Sequence, residues 1–273
     1  MLYEPVKDRL IRLAKRSQLL RRFYYIMLNA VFLRSWYIRR TIREILSQHG
    51  GEPVRVLDAG TGLGQFSYYI ASRSSSVRVH AVDINQEYLD YARRFISKTR
   101  CAPRVTFAIE DLTRLKTSGP YDVIISVDVM EHIEEDVEVF RHFARVLRTG
   151  GRVVINTPSD LGGSDVQGAG DESFIGEHVR DGYGREELSS KLESAGFAVE
   201  QVTYTYGKWG SLAWRLLIKV PMQLISVSPL LLVLVVPYFL LVFPVGLFLN
   251  ALDTRADNVS GTGILVVARK RGE

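Results

Sequence analysis

Pro53-Val54-Arg55-Val56-Leu57-Asp58-Ala59-Gly60-Thr61-Gly62-Leu63-Gly64 decides how this chain folds. An apolar run reaches an acid and then breaks into a turn with glycine at alternate positions. This reads as a strand followed by a loop whose backbone turns sharply and approaches a ligand where a Cβ would collide. The spacing G-x-G-x-G differs from the G-x-G-x-x-G dinucleotide fingerprint, and the sequence holds no G-x-x-x-x-G-K-[ST] phosphate loop. A helical run over residues 65–73 follows.

Working outward, a second strand, Val77-Arg-Val-His-Ala-Val-Asp83, ends in an acid about twenty residues past the glycine turn. An acid there can accept hydrogen bonds from both hydroxyls of a ribose. A third strand, Arg104-Val-Thr-Phe-Ala-Ile-Glu110-Asp111, ends in two acids. The fourth, Tyr121-Asp-Val-Ile-Ile-Ser-Val-Asp128, is nearly all apolar, as a central parallel strand should be. A fifth, Gly150-Gly-Arg-Val-Val-Ile-Asn-Thr-Pro158, follows a helical stretch. Helical patterns between the strands predict a doubly wound α/β sheet, in which ligands bind at the carboxyl ends of the strands.

Taken in order, Leu57-Asp58-Ala-Gly60-Thr-Gly62, Asp83, Asp111, Ser126-Val-Asp128-Val-Met-Glu131-His132-Ile and Leu147-Arg-Thr-Gly150-Gly151 resemble the successive motifs of class I S-adenosylmethionine (SAM)-dependent methyltransferases. The resemblance covers residues 53–158, and more loosely 184–206 and 263–270. It implies a seven-stranded Rossmann-like sheet whose last strand is antiparallel, with N-terminal helices. It also implies site roles: Gly60, Gly62 and Gly64 pass under the methionine part of SAM, and Asp58 supports their loop. Asp83 holds the ribose and Asp111 the adenine amino group, while Thr61, Ile84, Leu112 and Asp128 complete the cofactor set.

Composition places charge unevenly. Residues 1–50 carry eleven Lys/Arg against three Asp/Glu, a balance of +8 in a chain of net +5. A basic arm of this kind suits an anionic surface. It does not read as a signal peptide, because basic residues continue through Arg43. Within it, Ile38, Ile42, Ile45 and Leu46 share one face of a helix over residues 35–47, whereas residues 3–33 show no clean apolar stripe. The single cysteine, Cys101, excludes an internal disulfide and a multi-cysteine zinc site, and reads as a structural residue.

The second informative stretch is hydrophobic. Residues 220–252 contain no charged side chain, a run long enough to qualify as a membrane-span candidate. Prolines at 221, 229, 237 and 244 predict a broken rather than a straight helix. Trp209, Trp214, Arg215 and Lys219 stand at its border, where two tryptophans and two long cations suit a membrane interface. Phe197-Ala-Val-Glu-Gln-Val-Thr-Tyr-Thr-Tyr206 and Gly263-Ile-Leu-Val-Val-Ala-Arg-Lys270 read as strands six and seven, so the run is an insertion between them. The predicted organisation is a basic helical arm (1–50), a SAM-binding domain (51–207 and 259–273) and a membrane-associating insertion (208–258). The insertion is expected as a bent helical hairpin turning near residues 226–229 and entering at most one leaflet.

Methyl transfer requires an aligned acceptor and, for a hydroxyl, a base. Imidazole, whose reference pKa is near 6.5, suits a general base; His132 and Glu131 follow strand four, and His178 lies in a long glycine-rich loop over residues 159–183. These three are the candidate catalytic residues. Asp128-x-x-Glu131-His132 is also similar to the Glu-x-x-Glu-His of ubiquinone-biosynthesis O-methyltransferases, which is associated with a divalent cation. The shorter Asp128 weighs against the metal, and no metal ligands are assigned. Neither a Pro-Pro-aromatic motif after strand four nor a Pro-Cys dipeptide is present, which argues against methylation of DNA adenine amino groups or of cytosine C5, and no nucleic-acid partner is expected. The expected protein is a SAM-dependent methyltransferase at the cytoplasmic face of a membrane, monotopic or peripheral, acting on a lipophilic acceptor. The rival readings are a soluble small-molecule methyltransferase that uses its insertion for dimerisation or pocket closure, and a SAM-binding membrane scaffold without turnover.

Overall fold

The computed structural model describes residues 18–162, 179–227 and 232–272. Seven strands form one sheet: β1 Val54–Ala59, β2 Val77–Asp83, β3 Val105–Ile109, β4 Tyr121–Val127, β5 Leu147–Pro158, β6 Phe197–Thr205 and β7 Gly263–Lys270. Their order across the sheet is β3-β2-β1-β4-β5-β7-β6. Every pair from β3 to β5 is parallel, and β7 runs antiparallel to both β5 and β6. The seven-stranded sheet with an antiparallel last strand is therefore as predicted. β5 begins earlier than predicted, at Leu147 opposite Tyr121, and its register shifts before Val123 pairs with Arg152.

Alternation along the strands divides the core. Val56, Val123, Ile125 and Val154 point to one face, where they meet α2 (Leu33–Ser47), α3 (Gln65–Ala71) and α4 (Gln86–Ile96) through Ile38, Ile42, Ile70 and Phe95. Leu57, Ile124, Val153 and Ile155 point to the other, against α5 (Asp136–Val146) and α6 (Arg185–Ser194) through Phe140, Phe143, Leu188 and Leu192. Both faces are covered, which is why β4 reads as a nearly continuous apolar run. Cys101 is free and buried in the first of these clusters.

The N-terminal region is helical where the sequence showed no clean stripe. α1 spans Gln18–Val31 and is joined to α2 at Phe32. It is organised by one buried aromatic, Tyr25, whose ring packs edge-on to Phe95 at 4.7 Å and stacks with Tyr68 at 6.2 Å. Tyr24 and Leu28 pack partly buried against the same cluster, so α1 does carry an apolar face, one that is hidden when residues 3–33 are read as a single stretch.

Between β6 and β7 the chain forms α7 (Lys208–Trp214), a π-helical turn over Arg215–Lys219, α8 (Val220–Val227) and α9 (Leu232–Asp253). Pro221 cannot donate to the preceding turn, and the backbone widens into the π turn just before it. α9 carries Pro237 and Pro244 in its interior. It packs on α7 and α8, and a Cβ at Gly246 would come within 2.5 Å of Leu217. The predicted helical insertion is present, while Ser228 and Pro229 of the expected turn lie outside the described residues. Among the described residues no helix is long and apolar enough to cross a membrane.

The C-terminal end of α9 is tied to the domain by a buried carboxylate. Asp253 accepts from the Gly210 amide at 2.8 Å and from the Tyr37 hydroxyl at 2.9 Å, and Asn258 donates to that hydroxyl at 3.0 Å. Asn250 donates to the carbonyls of Ala30 and Val31 at the end of α1. α1, α2, α7 and α9 are thus tied into one helical group.

Candidate active site

The glycine loop is held from three sides. The amides of Gly60 and Thr61 both donate to the Val82 carbonyl at 2.9 Å, which stitches the loop to the end of β2. Gly60 adopts φ +80°, and a Cβ there would lie 2.3 Å from Val129 of the turn after β4. Gly64 adopts φ +79°, and a Cβ there would lie 2.7 Å from Ala92 of α4. Only glycine permits both the left-handed backbone and the approach.

Asp58 lies behind the loop and is buried. Its Oδ2 accepts from the Thr61 hydroxyl at 2.7 Å and from the Ser67 hydroxyl at 2.6 Å. Burial pushes its carboxyl up to about 6, against the hydrogen bonds from Ser67 and Thr61 that favour the charged form. Asp83, at the end of β2, accepts from the Gly62 amide at 2.7 Å with one oxygen and from the Asn85 amide at 2.8 Å with the other. A carboxylate has about four acceptor positions, so capacity for two ribose hydroxyls remains. Ile84 follows with 72% of its surface exposed, an apolar shelf beside that acid. Asp111 is exposed and accepts from the amide and the hydroxyl of Thr113, bonds that hold its carboxyl below the usual range. Leu112 beside it is buried. An open acid, an apolar shelf and a glycine loop fit the ribose, base and methionine parts of SAM.

The turn after β4 carries the second half of the site. Asp128 adopts φ +53°, a left-handed conformation uncommon for a non-glycine residue. Its side chain accepts from Asn156 Nδ2 at 3.0 Å and pairs with Arg34 of α2 at 2.8 Å. Asn156 Oδ1 is buried without a hydrogen-bond partner among the described residues. Glu131 is buried and accepts from the Thr157 hydroxyl at 3.0 Å. Burial, followed by the charge of Asp128, raises its carboxyl far above the ordinary range. Glu131 therefore stands behind the turn, and the exposed side chain that the turn presents is His132. The turn is anchored by Tyr183, whose hydroxyl donates to the Met130 carbonyl at 3.1 Å and to buried Asp136 at 2.7 Å. Arg180 and Lys191 complete the pairing of Asp136, each at 2.8 Å. His178 lies outside the described residues. No cluster of three or more metal-ligating side chains occurs among the described residues.

Sequence reasoning missed Arg34, Asn156, Tyr206 and the pair Asn29–Gln65. The Arg34 amide donates to the Tyr206 hydroxyl at 3.3 Å, and burial pushes that phenol up to about 12. Gln65, the first residue of α3, donates to Asn29 at 3.0 Å and to Ser35 at 2.9 Å. Arg34 was one cation among many in the arm, with nothing local to single it out. Asn156 did carry a signal, because an amide inside an otherwise apolar strand must find a partner.

Residues 51–197 match the family described as "Methyltransferase domain". Among the curated relatives, phosphoethanolamine N-methyltransferase of Triticum aestivum is 28% identical over 144 residues, 52% of this chain and 28% of the relative. A second, phosphoethanolamine N-methyltransferase 3 of Arabidopsis thaliana, is 31% identical over 102 residues, 37% of this chain and 20% of that one. This chain thus spans well under half the length of these relatives. Among solved structures, Haemonchus contortus phosphoethanolamine N-methyltransferase 2 in complex with SAM superposes with a TM-score of 0.59 at 22% identity, covering 85% of this chain and 53% of that one. A SAM-dependent methyltransferase of Mesorhizobium loti gives 0.56 at 18% identity, over 85% of this chain and 96% of its own. The fold is shared with both. With the family match over more than half of its length, the chain belongs to the methyltransferase domain family.

Proposed function

We propose that this methyltransferase works at the surface of a membrane, on its cytoplasmic face, and methylates an amphiphilic acceptor whose polar end reaches the turn after β4. The observation that carries the reading is the position of the insertion. β6 runs in the same direction as β4 and β5, because β7 is antiparallel to both β5 and β6. The chain from β6 into α7 therefore leaves at the carboxyl edge of the sheet, where Asp83, Asp111 and Asp128 also lie. Apolar helices and cofactor loop share one end of the molecule. The phosphoethanolamine N-methyltransferases among the relatives support an acceptor with a polar, ionic end. The likeness of Asp128-x-x-Glu131-His132 to ubiquinone-biosynthesis enzymes supports a lipophilic body.

When bound, SAM supplies an electrophilic methyl group on a sulfonium. Asp83, Asp111 and the glycine loop hold it, and Asp58 keeps the loop in shape through Thr61 and Ser67. His132, exposed on its turn, takes the proton from an acceptor hydroxyl or ammonium. Glu131, buried and with its carboxyl pushed up by burial and by the charge of Asp128, acts from behind through Thr157 and the shape of the turn.

The test is incubation with methyl-labelled SAM, with and without membrane vesicles from the source cells, followed by partition between organic solvent and water. Label is expected in the organic phase, and only when membranes are present. Label confined to water-soluble acceptors such as phosphoethanolamine, with membranes adding nothing, would overturn the membrane acceptor.

A further inference from the structure

α1 has two faces that do different things. Its inner face clamps the cofactor loop: the Tyr25 hydroxyl donates to the Leu63 carbonyl, and Asn29 accepts from Gln65, so both flanks of Gly64 are held by one helix. Its outer face presents Phe23 and Ile26, each 58% exposed, with Arg22 exposed beside them. α9, packed against α1, is apolar around its whole circumference, a composition normally found only where a helix is covered on all sides. Yet Leu241, Val245 and Phe248, spaced i, i+4 and i+7, are 78%, 50% and 63% exposed. α7 adds Leu212, 42% exposed, and the π-helical turn after it adds the exposed Arg215. Charge says what covers these stripes. Residues 9–43 and 201–252 contain cations but not one Asp or Glu. A second copy would bring the same cations against these, whereas an anionic bilayer complements them.

We propose that the outward stripes of α1, α7 and α9 dock on an anionic lipid surface, and that docking orders the glycine loop through α1. Cofactor binding and bilayer binding then reinforce one another. The idea rests on the membrane reading above but concerns regulation of the site rather than its acceptor. By linkage, the factor by which vesicles raise cofactor affinity equals the factor by which cofactor raises vesicle affinity.

The experiment uses the full chain, vesicles of phosphatidylcholine with one quarter phosphatidylglycerol, vesicles of phosphatidylcholine alone, and S-adenosylhomocysteine as the probe. Co-sedimentation is expected with the anionic vesicles and several-fold tighter when the probe is saturating. Calorimetry with and without vesicles should return the same factor for the probe. The double substitution Phe23→Ser with Ile26→Ser should weaken vesicle binding about tenfold or more, with probe affinity in vesicle-free buffer unchanged. Asn29→Ala should leave vesicle binding in place and reduce the coupling factor. Equal vesicle affinity with and without the probe would overturn the coupling, whatever the acceptor proves to be. Absence of vesicle binding, or a vesicle-free dimer abolished by the Phe23/Ile26 substitutions, would overturn the docking face. These readouts involve no methyl transfer, so they stand apart from failure of the acceptor assignment.

Discussion

The central sheet and the insertion treat apolar side chains in opposite ways. Leu57 and Ile124 are fully buried, whereas Leu240 and Leu241 on α9 are 74% and 78% exposed. In the sheet, apolar content is used for folding, because removal from water is the driving force for packing strands against helices. On α9 only the inner stripe, around Gly246 and Leu249, is used that way. The outer stripe adds no intramolecular burial. Hydrophobicity along the chain is therefore one signal with two physical meanings, and the fold separates them.

The largest expected effect tests the chemical end of this contrast. His132→Ala should lower turnover by roughly 10²–10⁴-fold while S-adenosylhomocysteine affinity holds, since the residue is assigned to proton removal rather than cofactor retention. Steady-state kinetics with parallel calorimetry checks it, and wild-type turnover would remove His132 from the chemistry.

The contrast itself is tested next. Leu57→Ala should cost about 2–5 kcal/mol of stability, because it empties a fully buried site between β1 and the α5 layer. Phe248→Ala, although it removes a larger side chain, should stay within about 0.5 kcal/mol in vesicle-free solution. Urea denaturation of both variants suffices. A comparable loss at Phe248 would mean that its exposed face is covered after all.

A smaller effect concerns Asp58. Its native carboxyl titrates at about 6 against an ordinary 3.8, so folding favours its protonated form. That contribution is complete below the unfolded value and is lost as pH rises through the native one. Stability should therefore fall by about 3 kcal/mol between pH 4 and 7 on account of this group. Asp58→Asn should flatten that part of the profile, and Glu131, raised in the same direction, should leave a residual slope. Denaturation midpoints across the pH range measure it, and an unchanged slope in the variant would refute the assignment.

Asp83→Ala should weaken S-adenosylhomocysteine binding by about 1.5–3 kcal/mol for each ribose bond lost. The Gly62 amide would also lose its acceptor, so part of the effect would come from the loop. Unchanged affinity in a folded variant would displace Asp83 from the cofactor site.

The residues that announce the cofactor site are those whose signals are local. Gly60 and Gly64 are legible because a left-handed turn needs glycine wherever it occurs. Asp83 and Asp111 are legible because each follows an apolar strand directly. The strand limits were found within a few residues, since two-sided burial writes continuous apolar runs into the sequence. Arg34 could not be found in the same way. Its role depends on α2 crossing to Asp128, a partner far along the chain.

The sequence by itself determined the sheet, the glycine loop, the acids at the strand ends and the existence of an uncharged insertion. All of these depend on a few consecutive residues or on a period of two. Only the tertiary structure decided that Glu131 is buried while His132 is exposed, although they are neighbours. Only it decided that Tyr25 and Asn29 turn α1 toward the cofactor loop, leaving Phe23 and Ile26 outward. The reason is that facing is a property of contacts between distant segments. A helix that is apolar all round, as α9 is, gives no periodic clue to which side will meet the protein.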